Sequence, residues 1–352
     1  MLSTRHICHH ACDRRASGES TAEGFLVFNV NYLRQKVHER LRACGCECRF
    51  ISVAHLRDLE EEIAARHQAD EFDEGFFQQE LESFEFHLPD ELPTARSIIV
   101  LAIPQPSVRV TFLWKGRITH SFVPPVYDAS VNAYARDILT RTLEPDGYRV
   151  AKSVIPLKLL AVRSGLAAYG KNNITYVQGM GSFHRLAAFY TDLPPGEDVW
   201  MDHRLLERCN RCSACIAGCP TKAIDPQRFL LHAERCLTFL NEHEGDFPSW
   251  VDPSWHQCPV GCMLCQNTCP ENRHVSNWIE KGPTFSEEET RLLLEGTPRS
   301  QLPELTVEKL EQVWLMEYIN LLPRNLQALL NRVNGPSMRA QKHPAPGRVA
   351  SA

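Results

Sequence analysis

Two cysteine runs between residues 209 and 270 limit what this chain can fold into. The first is Cys209-Asn210-Arg211-Cys212-Ser213-Ala214-Cys215-Ile216-Ala217-Gly218-Cys219-Pro220, spaced C-x2-C-x2-C-x3-C-P. The second is Gly261-Cys262-Met263-Leu264-Cys265-Gln266-Asn267-Thr268-Cys269-Pro270. Loops this short let successive thiolates converge on one iron–sulfur cube, and the proline turns the chain away from it. A zinc site takes four ligands, often from paired C-x2-C units, and the first run overshoots that pattern.

The first spacing is that of bacterial two-cluster ferredoxins, where three close cysteines hold one [4Fe–4S] cluster and the fourth crosses to the other. Crosswise pairing gives Cys209, Cys212, Cys215 and Cys269 to one cluster. Cys219, Cys262 and Cys265 go to the second, with either Cys236 or Cys258 as its fourth ligand. The chain has 14 cysteines among 352 residues, a usage that in a cluster-binding chain points to a reducing, cytoplasmic location. Charged residues make up 23% and hydrophobic residues 43%, the balance of a globular protein. Eighteen consecutive apolar residues occur nowhere, which argues against a membrane span. A net charge of −5 gives no global pull toward nucleic acid, so charge does not support tRNA as a partner.

Residues 1–24 lack an apolar signal core and read as a flexible leader. It carries His6, Cys8, His9, His10 and Cys12, a weak candidate for a metal site. Residues 25–200 read as an α/β domain with a mixed sheet and flanking helices. Helical spacing of Val30, Leu33, Val37 and Leu41 precedes an alternating strand at 48–53. Cys44, Cys46 and Cys48 stand two apart, which on a strand puts them on one face, more for packing than for ligation. Residues 58–91 hold 13 acidic residues and one arginine, read as a solvated helical face. The apolar run 95–104 reads as a strand buried on both faces. A helix at 130–143, a strand at 148–154, a helix from Pro156 to Val162 and a strand at 183–191 follow. Residues 203–280 form the ferredoxin-like double-cluster domain. Residues 286–333 form a short helical segment, with Leu292, Leu293, Leu305, Leu310, Trp314, Ile319 and Leu322 as core candidates. Residues 334–352 read as a disordered tail.

The run Gly165-Leu166-Ala167-Ala168-Tyr169-Gly170-Lys171-Asn172 nearly spells a P-loop. Its last position is asparagine, which lacks the hydroxyl that binds magnesium there, and the run follows a helix rather than a strand. Its glycines indicate a close backbone approach, either to a neighbouring element or to a flat ligand. Arg163, Gly170, Lys171 and Asn172 are the candidate cofactor-binding residues.

With residues 160–172, the Gly181-Ser182 pair, Asp192-Leu193-Pro194 and the cysteine runs in this order, the chain resembles the epoxyqueuosine reductases over roughly residues 95–280. The resemblance implies an α/β domain holding cobalamin, packed on a two-cluster ferredoxin domain that delivers electrons singly. It implies an epoxide on a modified tRNA nucleoside as the family substrate, and it favours Cys236 over Cys258 as the cluster ligand. The family places a catalytic aspartate, in an Asp-x-x-Pro setting, just before residue 160. Here residues 150–156 read Val-Ala-Lys-Ser-Val-Ile-Pro, without a carboxylate. The epoxide oxygen's proton must then come from elsewhere, with Asp146, Tyr148, Lys152 and Tyr169 nearby in sequence.

The expectation is an iron–sulfur reductase that takes electrons from a low-potential donor and acts on a small-molecule or nucleoside substrate. One alternative is an electron-transfer protein without substrate chemistry of its own. Another is a tRNA-binding relative with altered catalysis.

Overall fold

A computed structural model of the chain describes residues 22–331. The expected leader falls mostly outside that range, with its histidines and cysteines, and the expected tail falls wholly outside it.

A four-stranded sheet organises the first two hundred residues. Its strands are β1 (Glu47–Ser52), β2 (Ser97–Pro104), β5 (Val150–Lys152) and β8 (His184–Thr191), in the order β1-β2-β8-β5. Every neighbouring pair is antiparallel. The sequence of β2 explains its central place. Ile98, Val100 and Ala102 point into one core, while Ile99, Leu101 and Ile103 point into another. Side chains alternate along a strand, so an unbroken apolar run serves two faces at once.

Helices cover both faces. Helix Ala22–Ala43 sets Leu33, Val37 and Leu41 against the second face, beside Leu139 and Leu143 of helix Ser130–Leu143. Helix Leu56–Gln68 and helix Leu157–Arg163 cover the first face with Leu56, Leu59, Leu160 and Val162. Cys46 and Cys48 are buried in the core, while Cys44 sits exposed in the turn before β1. The acidic stretch is solvated as expected, with Glu62 and Glu71 alone of its carboxylates half-buried. Glu62 pairs with Arg66 and Arg163, Glu71 with Arg66, and Glu80 with His243.

A second sheet was not expected. Strands β3 (Ser107–Trp114) and β4 (Arg117–Val123) form a hairpin, and β9 (Ile279–Phe285) joins β3 in parallel. Here the pairing is mixed. Lys115 and Gly116 both take positive φ, 49° and 70°, as a two-residue hairpin turn with the strands' own twist requires. Strand β9 ties the end of the cluster region back to the α/β region. Helices Glu287–Leu294, Glu304–Gln312 and Leu322–Asn331 then close a third core around Phe112, Phe285, Leu310 and Leu326. Ser286 and Glu289 form a capping box at the first of these helices. Among the expected core residues, Leu293, Leu310 and Leu322 are buried, and Leu292, Trp314 and Ile319 pack partly buried. Leu305 is 60% exposed. Its helix turns Thr306 and Leu310 inward, and Leu305 lies one residue off that face.

A small pair, β6 (Ala168–Tyr169) and β7 (Thr175–Tyr176), brackets the glycine-rich turn. Tyr169 also bridges to Leu205, carrying this turn onto the entrance of the cluster region.

Candidate metal and cofactor centre

The cluster region is built from very short helices. Ala214–Gly218 carries Cys215 of the first run, and Leu264–Asn267 carries Cys265 of the second. They lie close: a Cβ on Gly218 would stand 3.0 Å from Thr268 Oγ1. This approach brings distant thiols together.

Two thiol groups result, one around Cys215 and one around Cys265. The Cys215 thiol is pushed up to about 11, first by burial and then by Cys209, Cys269 and Cys212. Cys265 is pushed up to about 12 by burial, then by Cys236 and Cys219. Cys262 is raised by burial and by Cys258, Cys236 and Cys265. Buried thiols crowded in this way call for positive charge, which the irons of a cluster supply. Donors already point at the sulfurs. The Ile216 amide donates to Cys215, those of Thr238 and Phe239 to Cys236, and the Asn172 side chain to Cys265. Such hydrogen bonds suit the anionic sulfur of a cluster. Among the described residues no three His, Cys, Asp or Glu side chains converge on one ion. A cube binds its four thiolates to separate irons and needs no such convergence.

Cys219, Cys236, Cys262 and Cys265 line a cavity of about 430 Å³. The opposite wall comes from the α/β region and includes Lys158, Asn172, Thr175 and His184. Cys258 is not among the lining residues. It packs with Phe183, Met263 and Val275 in a small apolar cluster.

Of the four candidate cofactor residues, only Asn172 lines this cavity. It is 2% exposed, and its amide also donates to Tyr176 Oη at 3.1 Å. Lys171 turns instead to the first thiol group, its Nζ donating to Cys212 O at 3.1 Å and its backbone N–H to Cys209. Gly170 leaves no room for a side chain, since a Cβ would meet Asn172 Oδ1 at 2.4 Å. Arg163 is paired with Glu62 and Asp202 and donates to Met201 O.

Sequence reasoning missed Lys158 and His184. Lys158 shows open surface yet is enclosed by protein, because the surface it shows is cavity wall. The enclosure governs its charge, and burial lowers its pKa. A lone cation in Leu157-Lys158-Leu159-Leu160-Ala161-Val162 was the available signal. His184 accepts from Thr175 Oγ1 (3.0 Å) and donates to Gly181 O (3.2 Å), and burial pushes it down to about 4. Asp146, Tyr148, Lys152 and Tyr169, near in sequence, do not line the cavity.

Residues 208–272 match the family of 4Fe-4S double cluster binding domains. An epoxyqueuosine reductase from Pseudomonas aeruginosa is 37% identical over 133 residues, 37% of this chain and 36% of that protein. Another, from Staphylococcus aureus, is 25% identical over 272 residues, 72% of this chain and 68% of that protein. Over these stretches the chain is similar to epoxyqueuosine reductases. The epoxyqueuosine reductase of Bacillus subtilis, solved with its catalytic aspartate loop swung out of the active site, shares the fold. It matches at a TM-score of 0.62 and 21% identity, covering 86% of this chain and 82% of that one. A further epoxyqueuosine reductase structure, at a TM-score of 0.61, holds a modified tRNA stem loop. The chain spans little more than a third of the length of the first curated relatives it matches. Among the described residues no helix is long and apolar enough to cross a membrane.

Proposed function

We propose that the chain is an iron–sulfur reductase of the epoxyqueuosine reductase type. The observation that carries this is a single cavity walled on one side by four thiols and on the other by the α/β region. Cys209, Cys212, Cys215 and Cys269 would hold one [4Fe–4S] cluster, and Cys219, Cys236, Cys262 and Cys265 the other. Bound, the clusters supply single electrons from a low-potential donor, and cobalamin supplies the low-valent cobalt chemistry of a two-electron reduction. The substrate class is a small molecule or nucleoside, a modified tRNA nucleoside being the relatives' own. The proposed division is 25–200 for cofactor and substrate, 203–280 for the clusters and 286–333 for the helical segment, in a cytoplasmic protein.

This chain's residues have separate tasks. Asn172 spans Tyr176 and Cys265, so it fixes the cavity wall at a cluster sulfur. His184 stays neutral, with both ring nitrogens engaged by Thr175 and Gly181, so it shapes the wall without giving up a proton. Residues 150–156 offer no carboxylate, and Ser153 donates to Ala188 O. Arg185 does not release its proton, and the Tyr127 hydroxyl is held by Glu242. Lys158 is left as the cavity's transferable proton, for the oxygen that ring opening would expose. The missing carboxylate is also what favours the alternative, an electron-transfer protein without substrate chemistry.

The test is the iron and cobalt content of anaerobically purified chain, incubated with cobalamin and desalted. About eight irons per chain are expected from two four-iron clusters, with near-stoichiometric cobalt. Iron without cobalt would overturn the corrinoid assignment and leave the electron-transfer reading. A gel shift with tRNA across a salt series separates the tRNA-binding relative from both.

A further inference from the structure

The two thiol groups differ in their surroundings. The second faces the cavity. Cys209, Cys212 and Cys269 of the first are half-buried and are not among the cavity-lining residues. Around this first group four arginines stand against two carboxylates, Glu207 and Glu271, in a chain whose net charge is −5. Arg208 and Arg211 stand immediately before Cys209 and Cys212, and Arg273 follows Cys269 by four residues. Arg204 precedes them on the segment that meets Tyr169. All four arginines are exposed.

Elsewhere several exposed arginines are engaged, as in Arg57–Glu61, Arg141–Asp137 and Arg299–Glu311, and the exposed Arg96 and Arg109 stand singly in the sequence rather than in a cluster of arginines. Arg208 pairs with Glu271. Among the described residues, Arg204, Arg211 and Arg273 form neither an ion pair nor a side-chain hydrogen bond. A cleft of about 620 Å³ extends the patch, with Arg42, Arg49, Arg204 and His274 on its wall and Glu47 and Glu271 as its carboxylates. Uncompensated guanidinium groups cost self-repulsion that a negative partner removes.

We propose that this face is the docking site for an acidic, low-potential one-electron carrier protein. The inference rests on the two-cluster reading above. Arg208 and Arg211 sit on the cluster-binding loop itself, with Arg204 and Arg273 flanking the cysteine runs in sequence, so an acidic carrier seated on them brings its redox centre next to the first cluster. One electron leaves the carrier's centre and enters the cluster, and no bond is made or broken. The placement favours a carrier over RNA, because a nucleic-acid substrate must reach the cavity at the other thiol group. None of the four arginines lines the cavity, so carrier and substrate contact different residues and neither has to leave for the other to act.

The experiment uses the full chain with its clusters assembled and counted. The probe is an acidic plant-type [2Fe–2S] ferredoxin, and stopped-flow absorbance follows one-electron exchange between it and the chain. Arg208→Glu/Arg211→Glu should slow exchange about ten-fold at low salt, with the difference vanishing as salt screens the charges. Calorimetric binding of the oxidised ferredoxin should weaken in parallel. Exchange with reduced methyl viologen, a small cation, should not fall. Should that pair fail to assemble clusters, Arg204→Glu/Arg273→Glu, away from the C-x2-C loop, carries the same expectation. Unchanged exchange with ferredoxin in a cluster-loaded variant overturns the proposal. Loss of tRNA stem-loop retention with unchanged ferredoxin exchange also overturns it and makes this a nucleic-acid surface. A wild-type chain without iron instead overturns the two-cluster reading.

Discussion

Lys171 Nζ lies 3.1 Å from the backbone carbonyl of Cys212, so the glycine-rich turn of the α/β region grips a loop of the cluster region. The same residue's amide donates to Cys209. Lys171→Met should leave the fold intact but loosen the first cluster. Iron release to a chelator should become biphasic, with one four-iron phase faster than in wild type. A single unchanged phase would show that the grip does not matter.

Cys236 and Cys258 should separate cleanly. Cys236→Ala should lower iron from about eight to about four per chain. Cys258→Ala removes a small side chain from the pocket of Phe183, Met263 and Val275. It should cost on the order of 1 kcal/mol of stability and leave the iron content unchanged. Iron analysis beside thermal unfolding reads both effects.

Gly170 has no space for a methyl group, with Asn172 Oδ1 at 2.4 Å and the Tyr176 ring at 2.7 Å from a Cβ. Gly170→Ala should destabilise by roughly 1–3 kcal/mol through displacement of both. Asn172 also donates to Cys265, so the second cluster's potential should shift. Spectroelectrochemical titration would show one of two potentials moving.

His184 should leave a signature in stability against pH. Its folded value, about 4, lies below the ordinary value of 6.5 for an unfolded chain, because burial disfavours the imidazolium. Its contribution is fully present above pH 6.5 and is lost as pH falls toward 4, since the unfolded chain takes up a proton that the folded chain refuses. The loss is at most about 3 kcal/mol. His184→Gln should flatten that part of the curve. Denaturant midpoints at a series of pH values would check it.

Sequence reading reached some elements and missed others for identifiable reasons. The burial of β2 on both faces was legible because an unbroken apolar run fits little else. The β3–β4 hairpin was missed although Lys115-Gly116 and the alternation after Ser107 signalled it. Strand β9 carried weaker signs, since Gly282 and Pro283 discourage a strand assignment. It is tolerated as an edge strand, where β3 alone pairs with it.

By itself, the sequence determined the cysteine chemistry. Ligand spacing within a loop is set by a few backbone bonds, so C-x2-C-x2-C-x3-C-P limits what the loop can wrap. It also determined that residues 150–156 carry no carboxylate. Only the tertiary structure decided which distant groups share a space. It set Asn172 and Lys158 on the cavity wall, turned Lys171 to the first thiol group and held Arg163 in ion pairs. These four residues lie within fifteen positions of one another. A helix, a turn and a short hairpin send them in different directions, and the partners that receive them come from segments up to a hundred residues away.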